Sequence, residues 1–277
     1  MSRTSRYSSP LHAAARYVTQ RLLLKPVAWS SVTMSVEGTE RLKGLRPPYV
    51  VVANHSSHLD ATAIVCAIPW KVGGNLATGA AADYFFTKWH RKVFTALLFN
   101  AFPIERSGVR NKKSVAATLL SENVPILLFP EGTRSYTGAM ATFKPGAAAL
   151  SINQGIPVVP VAVVGAHEAM PRGRSWPKPG RPPVRLVFGA PMEAEPGETP
   201  VAFSARLAQA VRDLFDPVAD EMGILRIDDR PPSVKPGRTR ETLTPGSGAD
   251  STTDDNGDAG DSKSIENDDA THSGDDQ

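Results

Sequence analysis

Hydrophobic positions in this chain fall into two rhythms. Tyr49-Val50-Val51-Val52-Ala53 is apolar without interruption, the pattern of a strand covered on both faces. Residues 124–130, 156–164 and 184–188 repeat it, and Val32, Met34 and Val36 alternate with polar neighbours as a half-buried strand does. Between these runs the period lengthens. Leu59, Ala63, Ile64 and Ala67 share a helical face that stops before Pro69, and residues 83–99, 112–121 and 143–153 predict further helices. Behind Pro200, the positions Val201, Leu207, Val211, Leu214, Phe215 and Val218 predict a long last helix. Strands alternating with helices imply an α/β fold: a single layered domain with a mixed, largely parallel central sheet flanked by helices.

The two ends follow other rules. Leu11, Ala14, Ala15, Val18 and Leu22 recur at helical spacing, with Arg16, Gln20, Arg21 and Lys25 on other faces. Such a basic amphipathic helix either lies in the headgroup region of an anionic membrane or packs on the protein's own core. From Glu241 onward apolar residues almost vanish, and 11 acidic residues face the single Lys263. That composition predicts a disordered acidic tail. The expected organisation is a basic amphipathic segment at 1–30, which the membrane reading would make membrane-associating, a layered α/β domain at 31–225 and a tail at 226–277. Setting the tail aside changes the charge picture, because the overall +3 conceals 30 basic against 17 acidic residues in positions 1–240. A body this basic favours anionic partners.

Cys66 is the only cysteine, which excludes an internal disulfide and a cysteine zinc site, and its apolar surroundings predict a buried thiol. No run reaches the ~18–20 apolar residues of a spanning helix. The protein is thus not expected to cross a bilayer, which leaves a peripheral or monotopic place on the cytoplasmic face of the cell membrane open to it. Aromatics make up 7% of the chain and do not interleave with the cations, so a nucleic-acid partner is not expected.

Chemistry gathers where two buried strands end. Asn54-His55-Ser56-Ser57-His58-Leu59-Asp60 follows the first, and a carboxylate five residues beyond a histidine can fix its tautomer and leave the other ring nitrogen free as a base. His58 competes with His55 for that role but has no acidic residue five positions on. Asn54, Ser56 and Ser57 read as turn formers. Phe129-Pro130-Glu131-Gly132-Thr133-Arg134-Ser135 ends the second strand, and strand ends of open α/β sheets converge on one crevice. Gly132 lets backbone amides approach an anion, Thr133 supplies a hydroxyl, and Arg134 suits phosphate oxygens. Arg106 and Lys144 extend a cationic rim.

These residues resemble a known family. His55 with Asp60, Pro103-Ile104-Glu105-Arg106, Phe129 through Ser135, and Ile156-Pro157-Val158-Val159-Pro160 look like the four ordered motifs of the glycerolipid acyltransferases, the HxxxxD enzymes of 1-acylglycerol-3-phosphate acyltransferase type. The resemblance runs from about residue 36 to 187. It implies that His55 is the general base and Asp60 orients it, while Arg106, Glu131, Gly132, Thr133 and Arg134 bind the acceptor's phosphate. It further implies acyl-CoA or acyl carrier protein as donor, a lysophospholipid as acceptor, and no cofactor, metal or covalent intermediate. A serine hydrolase would need a Gly-x-Ser-x-Gly elbow, which this sequence lacks.

Overall fold

The computed structural model describes residues 5–81, 97–104 and 114–233. Arg106, most of the helix expected at 83–99 and the acidic tail lie outside the described residues. The sheet is built from β1 (Thr33–Glu37), β2 (Val50–Ala53), β3 (Ala77–Ala81), β4 (Phe102–Ile104), β5 (Ile126–Leu128), β6 (Val158–Val164) and β7 (Pro183–Phe188). Its order is β1-β7-β6-β2-β5-β3-β4. Every neighbouring pair is parallel except β6 and β7, so the sheet is mixed and largely parallel as the pattern implied.

The uninterrupted apolar strands occupy the centre because only there are both faces covered. β2 lies between β6 and β5, with Val50 opposite both Val158 and Ile126, and all four of its residues are buried. Successive side chains go to opposite faces. Val50 and Val52 join Ile126, Leu128, Val158 and Ala162 beneath the helices Val115–Ser121, Gly146–Gln154 and Pro200–Met222. Tyr49, Val51 and Ala53 join Leu127, Val159 and Val161 on the other face, against the helix Leu59–Ala67. The last helix starts where Thr199 Oγ1 accepts from the Ala202 amide, and it stops at Gly223, whose φ of +65° is left-handed. Phe203, Leu207, Val211 and Phe215 run down its inner face, each contributing ~1.5–3 kcal/mol by burial.

Two expectations need correction or refinement. The boundary drawn at residue 225 is too early. Ile227 is buried in the core and its amide donates to Asp216 Oδ1, so ordered packing continues through the last described residues up to 233. The N-terminal helix, Pro10–Val18 continued by a π-helical turn at Thr19–Leu24 and by Lys25–Ser31, packs on the body with its polar side as far as Arg21 and with Leu24, Ala28 and Trp29 beyond it. Arg16 is buried and reaches Asn75 Oδ1 (2.8 Å) and Asn100 Oδ1 (3.3 Å). Burial, reinforced by Arg6, lowers its pKa to about 10, which still leaves it charged at neutral pH. Arg21 donates to the carbonyls of Cys66 and Ile68, closing the carboxyl end of the helix Leu59–Ala67. Leu11, Val18, Leu22, Leu23 and Val27 are left exposed. Among the described residues, no helix is long and apolar enough to cross a membrane.

Candidate active site

Because β2, β5 and β6 run parallel, the turns after all three emerge at one edge of the sheet. Asn54 sets where the main chain leaves β2. Its side-chain amide pairs with Val163 on β6 in both directions, Nδ2 donating to the carbonyl (3.0 Å) and Oδ1 accepting from the amide (2.8 Å). The ladder thus continues through a side chain while the backbone turns away.

His55 follows. Its Nδ1 lies 2.9 Å from Asp60 Oδ2, and the same oxygen accepts from the amides of Ser56 (2.7 Å) and Ser57 (2.8 Å). Asp60 is fully buried in the first turn of the helix Leu59–Ala67, where the helix dipole favours a negative charge. An ionised carboxylate only accepts, so the imidazole carries its proton on Nδ1 and leaves Nε2 unprotonated. The ring stacks on Phe129, with centroids 4.0 Å apart. His55 keeps 20% of its side chain exposed, enough for a reacting group to approach.

The β5 turn grips the same residue from the other side. Glu131 Oε1 accepts from the His55 amide (2.6 Å), and the Ser135 amide donates to the His55 carbonyl (2.8 Å). Glu131 Oε2 accepts from the Ala141 amide (2.9 Å). Burial pushes this carboxyl up to about 8, against the pull of its two backbone hydrogen bonds. The resemblance placed Glu131 with the phosphate ligands, and the geometry corrects that. A buried carboxyl with both oxygens engaged by amides holds the two turns together and has no free group to offer a phosphate.

The remaining expected residues line the turn. Gly132 has a φ of +77°, and a Cβ there would lie 2.8 Å from Lys144 Nζ, so the ammonium sits over the glycine. Thr133 is exposed and Arg134 half-buried. Sequence reasoning missed Arg172, which lies in a Pro, Gly and Arg-rich stretch without a motif of its own. Its Nη1 donates to the Arg134 carbonyl (2.7 Å), and its guanidinium lies over the Tyr136 ring at 3.9 Å. His58 is also close. Burial, with the positive charge of Arg134 and against the opposing pull of Asp60, holds it down at about 4, so it is neutral at physiological pH. Ser57 is buried, and its hydroxyl donates to the Met170 carbonyl and accepts from the Leu59 amide, which suits a turn former. Among the described residues, no three His, Cys, Asp or Glu side chains gather as metal ligands would.

A carboxylate-oriented histidine and a cation-lined turn meet at the carboxyl edge of a mixed α/β sheet, an arrangement able to activate a hydroxyl beside an anionic group. Residues 33–164 match the family model described as Acyltransferase. Its relatives include the 1-acyl-sn-glycerol-3-phosphate acyltransferase alpha of Mus musculus, 29% identical over 206 residues, covering 69% of this chain and 65% of the mouse protein. The protein of the same name from Homo sapiens is 26% identical, covering 63% of this chain and 61% of its own length. The chain therefore spans less than two thirds of these relatives. The crystal structure of the 1-acyl-sn-glycerophosphate acyltransferase PlsC from Thermotoga maritima has the same fold, with a TM-score of 0.56 at 21% identity over 75% of this chain and 95% of that one.

Proposed function

We propose that this protein transfers a fatty acyl group from acyl-CoA or acyl carrier protein to the free hydroxyl of 1-acylglycerol-3-phosphate, forming phosphatidate. The observation that carries the reading is the hydrogen bond between His55 Nδ1 and Asp60, which leaves Nε2 as the base. Nε2 takes the hydroxyl proton as the oxygen attacks the thioester carbonyl. The tetrahedral intermediate collapses, the carbon–sulfur bond breaks, and the imidazolium returns its proton to the departing thiolate. Asp60 stabilises the imidazolium between those steps. Arg134, with Thr133, the Gly132 backbone and Arg106, takes the acceptor's phosphate, and Arg172 and Lys144 add positive charge nearby.

A lysophospholipid acceptor partitions into membranes, and the exposed Leu11, Val18, Leu22, Leu23 and Val27 offer a face for an anionic bilayer on its cytoplasmic side. The family match and the named relatives support the activity, and the outward leucines support the surface. The test uses purified full-length protein, vesicles containing lysophosphatidate and labelled acyl-CoA, with products identified by mass spectrometry across a panel of phosphorylated acceptors. Phosphatidate should form, and His55→Ala should lower turnover by at least ~10²–10⁴-fold, the usual contribution of a general base. Wild-type turnover in that variant would refute the assignment of His55.

A further inference from the structure

Residues 225–233 play no part in the chemistry above, yet they end on the turn that carries Arg134. We propose that this segment is a strap that fixes the phosphate-facing turn, with Arg230 as its positioning residue. The inference rests on the acyltransferase reading for its kinetic consequence and on geometry for the rest.

Arg230 is almost wholly buried, and its Nη2 lies 2.8 Å from Glu168 Oε1. Its Nε donates to the Leu225 carbonyl (3.1 Å), folding the strap back on itself. The guanidinium also presses on Gly138, where a Cβ would lie 2.2 Å from Nη1, so no other residue fits beneath it. Beyond Arg230 the strap bonds directly to the β5 turn. Thr137 Oγ1 donates to the Pro231 carbonyl (2.6 Å), and the Tyr136 amide donates to Ser233 Oγ (2.8 Å).

The location gives these contacts their meaning. Glu168 belongs to the short helix Ala166–Ala169 that follows β6, while residues 136–138 follow β5. β6 and β5 are the two neighbours of β2, which carries His55. Arg230 therefore ties together the loops on either side of the base. From Tyr136 the constraint passes to Arg172, which rests on that ring, and from Arg172 to the Arg134 carbonyl. A half-buried ion pair is an inefficient source of stability compared with apolar packing, whereas a guanidinium held by Glu168 on one side, the Leu225 carbonyl on another and Gly138 beneath fixes relative position well.

The test combines hydrogen exchange at the Tyr136 amide with steady-state kinetics on the full chain, varying lysophosphatidate and acyl-CoA separately. Arg230→Met should speed exchange at Tyr136 and raise the acceptor KM, each by roughly tenfold, the size of one lost hydrogen bond, with kcat and the donor KM within about threefold. Arg230→Lys should recover part of both effects. Unchanged exchange in folded Arg230→Met overturns the strap, and faster exchange with an unchanged acceptor KM overturns the positioning role. Should Arg230→Met not fold, Ser233→Ala removes only the acceptor of the Tyr136 amide and decides the matter by the same two readouts. Faster exchange in a protein whose wild type transfers no acyl group supports the strap while refuting the acyltransferase reading.

Discussion

Asp60→Asn separates the charge of the carboxylate from its geometry. Asp60 Oδ2 faces three donors, two of them the backbone amides of Ser56 and Ser57. An amide NH2 group cannot satisfy those two, so the asparagine must place its oxygen there and preserve the proton on His55 Nδ1. Its nitrogen then occupies the site of Oδ1, a buried atom without a hydrogen-bond partner, which costs ~1–3 kcal/mol of stability. What catalysis loses is the negative charge beside the imidazolium. A charge-assisted hydrogen bond exceeds a neutral one by ~1–2 kcal/mol. Two unit charges ~4 Å apart at an effective dielectric of ~20 interact by ~4 kcal/mol, which sets the upper bound. At 1.36 kcal/mol per decade, the expected fall in kcat is ~5-fold to 10³-fold. Initial rates at saturating donor and acceptor measure it, with thermal melts to separate the stability cost. A kcat within twofold of wild type would show that no imidazolium forms. A loss near 10⁴-fold would show that the tautomer had inverted, contrary to the hydrogen-bond geometry.

The raised carboxyl of Glu131 makes stability depend on pH. Its pKa rises from 4.5 to about 8, so the folded protein binds the proton more tightly and the associated stability is complete below about pH 4.5 and lost as pH rises through 8. The unfolding free energy from denaturant titrations between pH 5 and 8 should fall by at most ~1.4 kcal/mol per pH unit from this group, and Glu131→Gln should flatten that slope; equal slopes in both proteins would remove Glu131 as the cause. Leu22 and Leu23 are 64% and 61% exposed, so replacing both with aspartate should leave the melting temperature nearly unchanged while cutting sedimentation with anionic vesicles by tenfold or more, given ~1.5–3 kcal/mol per buried leucine. A large loss of stability, or unaltered sedimentation, would count against the outward face as the membrane contact.

The central sheet and the meeting of the two turns were legible because both follow from local pattern. Tyr49 through Ala53 is apolar on both faces, which only a central strand tolerates, and parallel neighbours then bring the segments after Ala53 and Leu128 to one edge. β3 was not legible. Ala77-Thr78-Gly79-Ala80-Ala81 has little strand propensity, and it becomes a strand through pairing with β5 and β4. Gly79 is needed there because a Cβ would come within 2.3 Å of Ile104. Glu131 looked like part of an anion-binding turn since nothing local marks an acidic side chain as inward. Its place is set by amides 76 residues earlier and 10 residues later. Arg172 and Arg230 were hidden for the same reason, as their partners lie far off in the chain. For the N-terminal helix, periodicity identified which residues share a face and could not say which face turns inward.

That reversed helix has a thermal consequence. Arg16, Gln20 and Arg21 hold its first part to the body through hydrogen bonds, so releasing that part, ahead of the core-packed Leu24, Ala28 and Trp29, would hydrate mainly guanidinium, amide and peptide groups. Polar exposure lowers heat capacity and apolar exposure raises it, so this release adds little to the heat-capacity increment of unfolding. Entry of the leucine face into lipid carries the opposite signature, a negative heat-capacity change and an affinity that weakens on cooling. One helix would then be secured by two attachments of different temperature dependence, with the grip on the bilayer the first to slacken in the cold.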